Sequence, residues 1–341
     1  MYRTEREILG ELSSINRCLQ LVLTKEQQVK TIFSAAKRIW FVGSGSSYCL
    51  AKSAAAMFTM RCNIPSFAVA AGDLLLHSER YANAISNSIV VFISRSGMTS
   101  EVLGDLEIVA GLQGVVTVSI CSNAESCLND KCDFSICVPW AFDESVCQTR
   151  TIGSFYSCFA MLCAIVSDDE ELKAQLLALS EMEQSLNDTV LPMAKRIAGW
   201  DWNHVVVLSD AETAGLMEEA SLAFKEICCL NSNFYNLLDV RHGPMVLIDE
   251  NTLVFTLLET GCRTEQELVR DLKRKTDRIV TFGPFSESAE GVEHFDAGKL
   301  TDTIASALAA LYILQNVSLY KALQRGVNPD QPSGLSAWIA L

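Results

Sequence analysis

Two periodicities alternate along this chain. Ile39-Trp40-Phe41-Val42, Ser88-Ile89-Val90-Val91-Phe92-Ile93 and Val115-Val116-Thr117-Val118-Ser119-Ile120 are short runs rich in β-branched residues, which predicts buried parallel strands. Phe67-Ala68-Val69 and Phe134-Ser135-Ile136-Cys137-Val138 bring that set to five. Between them lie segments with helical spacing, among them the alanine-rich Tyr48 to Met60 and the stretch Val102 to Val109. Ahead of them, Glu5 to Ala36 is polar with recurring Ile8, Leu12, Ile15, Leu19, Leu21 and Ile32, the pattern of one or two amphipathic helices packed on something else. After a helical region the alternation begins again. Strands are expected at His204 to Leu208, Leu253 to Leu257 and Arg278 to Phe282, and helices at Ala214 to Cys229, Gln266 to Lys275 and Thr301 to Gln324.

Strands alternating with helices define an α/β fold, and a doubly wound parallel sheet is its economical form. Two copies of one such unit explain the order better than one large domain. The expected plan is a helical lead over 1–36, a first domain over 37–168, a helical connection over 169–198, a second domain over 199–325 and a tail over 326–341 near the active site.

Composition narrows the chemistry. With 341 residues, 49% of them hydrophobic and 20% charged, the chain can bury two ordinary cores and is not disordered. A formal net charge of -14 argues against nucleic acid or an anionic membrane as the main partner. A small anionic substrate stays open, because local N–H groups and helix dipoles, not net charge, hold a phosphate. Thirteen cysteines, an odd number without a secretory leader, predict reduced thiols in a cytoplasmic protein. Cys121, Cys127, Cys132 and Cys137 form no CxxC pair, so no metal is expected. The apolar run Ile304 to Leu314 is too short to cross a membrane and reads as a core helix.

Two serine-rich turns fall where ligands of such sheets bind, at the carboxyl ends of strands. One is Gly43-Ser44-Gly45-Ser46-Ser47; it lacks the third glycine of a dinucleotide fingerprint, and no acidic residue ends a second strand in the expected way. The other is Ile93-Ser94-Arg95-Ser96-Gly97-Met98-Thr99-Ser100-Glu101, a strand-to-helix turn that combines unpaired N–H groups, the positive end of a helix dipole and three hydroxyls. The same composition also serves as a plain helix cap. The coincidence of two such turns on one sheet favours a phosphate cradle.

Together these stretches resemble the sugar isomerase (SIS) family. Phe41-Val42-Gly43-Ser44-Gly45-Ser46-Ser47-Tyr48 looks like its first loop, Ile93 to Thr99 like its phosphate loop, and Glu144-Ser145-Val146-Cys147-Gln148-Thr149-Arg150 like the third wall of its sugar pocket. Glu218 to Glu226 and Arg241-His242-Gly243-Pro244 look like the catalytic segments of its second domain. The resemblance implies two SIS domains, each a five-stranded parallel sheet of flavodoxin-like doubly wound type flanked by helices. It implies an enzyme that needs no cofactor, binds a hexose or hexosamine 6-phosphate and moves a proton between C1 and C2. Ser47, Ser94, Ser96 and Thr99 would hold the phosphate, with Arg95 at the rim and Val146, Gln148 and Thr149 near the sugar. Glu226 would shuttle the proton and His242 would assist ring opening. In the family that histidine reaches the neighbouring subunit's pocket, which implies a homodimer with shared sites; pairing of dimers into tetramers is left open.

Departures from the pattern shape the expected reaction. The chain resembles the isomerase half of the glucosamine-6-phosphate synthases, but it opens with Met1 and a helical lead, so glutamine-driven amination is not expected. Ala337 stands where the synthase-type tail carries a Schiff-base lysine, and an alanine forms no imine. Arg241 to Pro244 and the tail Asn328 to Gly334 look most like tagatose-6-phosphate ketose/aldose isomerases or galactosamine-6-phosphate deaminases. The alternatives are a fructosamine-6-phosphate deglycase and a non-catalytic sugar-phosphate-binding regulator.

Overall fold

The computed structural model describes residues 1–283, 292–332 and 334. Three helices open the chain: α1 (Arg3–Leu9), α2 (Glu11–Thr24) and α3 (Glu26–Phe33). The first sheet is built from β1 (Ile39–Gly43), β2 (Ser66–Ala70), β3 (Ile89–Ser94), β4 (Val116–Cys121) and β5 (Phe134–Cys137). Between these strands run α4 (Ser46–Cys62), α5 (Ala71–Leu76), α6 (Ser78–Ile85), α7 (Ser100–Val109) and α8 (Leu128–Lys131). Then come α9 (Arg150–Val166), α10 (Glu170–Glu181) and α11 (Glu183–Ala198). The second sheet has β6 (His204–Leu208), β7 (Asn231–Tyr235), β8 (Thr252–Leu257), β9 (Ile279–Phe282) and β10 (Val292–Phe295), with α12 (Ala214–Cys228), α13 (Arg263–Lys273) and α14 (Thr303–Gln324) around it.

The sheets share one topology. Their strand orders are β2-β1-β3-β4-β5 and β7-β6-β8-β9-β10, parallel throughout, and both are the flavodoxin-like order. The switch point of the first sheet therefore lies between β1 and β3, whose carboxyl ends carry the turns 43–47 and 94–99.

Each central strand is buried on both faces, which is why it reads as an unbroken apolar run. Alternate residues feed different cores. Phe41, Val91, Val205 and Phe255 face one continuous core that includes side chains of α2, α4, α9, α12 and α14, while Val42, Val90, Phe92 and Val206, Leu208, Val254 face two outer clusters. Two strands escape sequence reading. β7 (Asn-Ser-Asn-Phe-Tyr) and β10 (Val-Glu-His-Phe) are edge strands with partly exposed residues, so neither needs an apolar run. α14 is long and apolar enough to cross a membrane, yet it is a core helix with 89% of its most apolar window buried in the fold.

The inner helices fix how the two halves meet. Leu216 N–H donates to Ser53 Oγ at 2.9 Å, and a Cβ on Gly215 would lie 2.1 Å from the Cys49 carbonyl oxygen, so α12 can approach α4 only with glycine there. Arg61, at the end of α4, bonds Glu212 at 2.6 Å and Asp302 at 3.0 Å, tying it to both the start of α12 and the start of α14. Those contacts hold α4, which begins at the first loop, against the second half of the chain.

Candidate active site

The turn after β3 is cross-braced by its own hydroxyls. Ser94 Oγ accepts from Gly97 N–H at 2.9 Å and lies 3.2 Å from Thr99 Oγ1, and Ser96 Oγ accepts from Met98 N–H at 3.1 Å. A serine oxygen that accepts a backbone N–H keeps its own proton for donation. Gly97 has φ +61°, and the turn is fastened to its neighbour by Ser122 Oγ donating to Arg95 O and Ser126 Oγ donating to Gly97 O, both at 2.9 Å. Thr99 precedes the first turn of α7 in extended conformation, so the helix begins where the hydroxyls converge. In the turn after β1, Ser46 and Ser47 are buried as α4 starts, and Ser47 N–H donates to Ser44 O at 3.1 Å.

Arg95 departs from expectation. Its side chain is not at the rim: the residue is 7% exposed, and Nη1 donates to the carbonyls of Ser145 at 3.0 Å and Val146 at 3.3 Å. The reason is local: the arginine folds back from the turn, and its guanidinium finds its acceptors in the carbonyls of the third wall. That wall is anchored from behind as well, since Asp143 accepts from Thr149 N–H at 2.8 Å and Thr151 N–H at 2.9 Å. Thr149 Oγ1 and Gln148 Oε1 are shut off from solvent and have no hydrogen-bond partner among the described residues.

Glu226 lies on α12, half-buried, although a Lys-Glu pair on a helix suggests a solvated charge. Burial pushes its carboxyl above the ordinary range, and the positive charges of Arg95 and Lys225 partly oppose the rise. The base expected in the second half is thus within electrostatic reach of an arginine from the first. Seven residues earlier on the same face, Glu219 is 1% exposed. Its carboxyl is held well above the usual range by burial and then by Glu226, with the Ser46 hydroxyl opposing. Cys147 of the third wall is pushed up by burial and Glu226 and drawn down by Arg95. One cluster therefore joins the turn after β1, the turn after β3, the segment 144–150 and α12.

His242 stands apart. It is exposed, just past a single turn of helix at Asp239–Arg241, and the charges acting on Glu226 do not include it. Ala337 and most of the tail around it lie outside the described residues. Sequence reading missed Glu219, Asp143 and Glu7. The heptad separation of Glu219 from Glu226 signalled the first; nothing in the polar lead distinguishes Glu7. Among the described residues no group of three or more His, Cys, Asp or Glu side chains has the arrangement of a metal site.

Comparison with known proteins agrees with this architecture. Residues 32–180 match the family model described as "SIS domain". The chain is 25% identical over 328 residues to the glutamine–fructose-6-phosphate aminotransferase (isomerizing) of Vibrio parahaemolyticus, covering 89% of this chain and 52% of that one. It thus spans about half the length of the curated relatives it matches. Among solved structures, glucosamine-6-phosphate deaminase of Thermotoga maritima superposes with a TM-score of 0.79 at 22% identity, over 99% of this chain and 100% of the other. Tagatose-6-phosphate ketose/aldose isomerase of Escherichia coli gives 0.82 at 18% identity, over 98% and 96%. At these identities the solved structures share the fold. Two doubly wound sheets, with hydroxyl-lined turns at the switch point of the first, are the architecture these proteins share. The first half of the chain is thus similar to SIS domains, and the second sheet repeats the topology of the first.

Proposed function

We propose that this protein is a phosphosugar isomerase that acts on a hexose or amino-hexose 6-phosphate by moving a proton between C1 and C2. The observation that carries the reading is the opposition of Glu226 and Arg95 beside the turn 94–99: a half-buried carboxyl with a raised pKa, a fixed cation and a set of converging hydroxyls. In this scheme Ser47, Ser94, Ser96 and Thr99 hold the phosphate, while Val146, Gln148 and Thr149 belong to the wall near the sugar. Ionised Glu226 takes the proton from C2 of the open-chain aldose and returns it to C1 through an enediol. Its raised pKa makes it a stronger base than an exposed glutamate. His242, supplied by a second copy of the chain, assists ring opening. Where C2 carries nitrogen, the same shift passes through an enolamine to an imine, which water hydrolyses with release of ammonia. The names of the relatives span isomerase and deaminase, which supports the class and leaves the C2 substituent to experiment.

The test is proton exchange at C1 and C2 in deuterated water, followed by NMR over a panel of hexose and hexosamine 6-phosphates, with ammonia measured in parallel. Glu226→Gln is expected to slow exchange by roughly 100-fold or more while leaving sugar-phosphate affinity near wild type. Exchange by the wild type should rise with pH through a midpoint above about 4.3, the value of an unperturbed glutamate, because only the ionised form accepts the proton. Wild-type exchange rates in Glu226→Gln would overturn the assignment.

A further inference from the structure

Behind the third wall lies a carboxylate that the reaction scheme does not use. Glu7, on α1, is 0% exposed, and its side chain accepts from Glu144 N–H at 2.6 Å, from Ser145 N–H at 3.2 Å and from the Ser145 hydroxyl. Ser145 is the shared residue: its carbonyl, with that of the next residue Val146, holds the Arg95 guanidinium. The helix bearing Glu7 is itself held by the tail. Asp330 accepts from Arg3 N–H at 3.0 Å, from Thr4 N–H at 2.8 Å and from the Thr4 hydroxyl at 2.9 Å, and its carbonyl accepts from Val146 N–H at 3.3 Å. Glu7 of α1 and the backbone of Asp330 therefore converge on one three-residue segment, Glu144 to Val146.

We propose that Glu7 is a positioning residue for Arg95, fixing through Glu144 to Val146 the carbonyls that hold the guanidinium whose charge acts on Glu226, with Asp330 securing α1 in turn. An isolated structural acid would only need donors. Glu7 takes its donors from the segment that presents carbonyls to Arg95, so loss of its charge loosens the opposite edge of that segment. An ionised acceptor of several hydrogen bonds is also a stronger tie than a neutral one. The proposal rests on the reading of Glu226 as the proton-transferring base.

Two charges act on Glu226, Arg95 from the turn 94–99 and Lys225 from its own helix, and Glu226 in turn acts on Glu219 of that helix, Cys147 of the third wall and Cys49 of α4. Of the two cations, Arg95 alone depends on the segment Glu7 holds. In Glu7→Gln the guanidinium is expected to drift, and the Glu226 titration midpoint should rise because a charge that lowers it has withdrawn. Glutamate labelled with 13C at the carboxyl reads that midpoint by NMR, with the signal assigned by its loss in Glu226→Gln. Turnover should fall by roughly 10- to 100-fold with little change in KM. A folded Glu7→Gln protein with the wild-type Glu226 midpoint overturns the proposal. Should that variant fail to fold, Asp330→Ala decides in the same way: a raised midpoint supports the coupling and an unchanged one removes it. The titration needs no substrate. A protein inert towards every sugar phosphate but showing the shift would sink the reaction and keep the positioning, and an active protein without the shift would do the reverse.

Discussion

A carboxyl group shut away from water needs donors, a cation or a proton, and this chain answers differently at each buried acid. Glu7 has donors and Glu226 has a cation. Asp143 has two backbone donors, yet burial and the neighbouring Glu7 charge still raise it to about 6. Asp105, inside α7, has neither donor nor cation among the described residues: it is 0% exposed, both its oxygens lack partners there, and burial with the nearby Glu101 charge raises it to about 8. The folded protein therefore keeps a proton on Asp105 that the unfolded chain gives up near pH ~4. Between that value and about 8 the unfolded state binds fewer protons, so stability falls as pH rises through the window. Asp105→Asn should flatten this slope and leave the variant more stable than wild type at pH ~8, by roughly 2 kcal/mol after allowance for relaxation around the charge. Thermal unfolding of both proteins from acid to mild alkali checks it, and parallel curves would show that Asp105 ionises without cost. None of these burial states was legible in the sequence. Charge placement depends on what packs against a helix face, and a polar lead such as Glu5 to Ala36 carries no mark of which glutamate turns inward.

At the scale of elements the sequence was more transparent, because fully buried parallel strands must be apolar on both faces. All five strands of the first sheet could be read, and so could the three inner strands of the second. The edge strands β7 and β10 could not, since Asn231, Asn233 and His294 satisfy a strand that is only half covered. Both serine-rich turns were legible as strand-to-helix turns through their glycines and hydroxyls, and the structure gives the physical reason for one glycine. A Cβ on Gly97 would sit 1.9 Å from Ser126 Oγ and 2.4 Å from Ser126 Cβ, at a φ of +61° that side chains rarely adopt. Gly97→Ala must therefore displace the 126 segment or open the turn. Because Ser94, Ser96 and Thr99 are aligned by that turn, sugar-phosphate affinity is expected to drop by at least about 10-fold, with a stability loss of about 1–3 kcal/mol. Titration calorimetry with a hexose 6-phosphate and a melting curve measure the two effects. Wild-type affinity in a destabilised variant would show that the hydroxyls do not hold the ester.

For the whole molecule, the duplicated fold followed from the repeat of one strand–helix alternation, whereas the completion of the site did not. His242 projects from an exposed loop that also presents Val246 at 79% exposure and Leu247 at 56%, a combination suited to burial against another copy of the chain. If each site takes Glu226 from one subunit and His242 from its partner, two inactive variants can rescue one another. A mixed dimer of Glu226→Gln and His242→Ala then contains one site with both defects and one with neither. Random mixing by unfolding and refolding, or by coexpression, makes half of the dimers mixed, so roughly a quarter of wild-type activity should return. If both groups of a site come from the same subunit, every site in every dimer stays defective and mixing restores nothing. The two outcomes are separated by a measurement that needs no knowledge of which sugar is the natural substrate, only one that the wild type turns over. Recovery would place the histidine of one chain over the carboxylate of another and make dimer formation a condition of catalysis, not merely of stability.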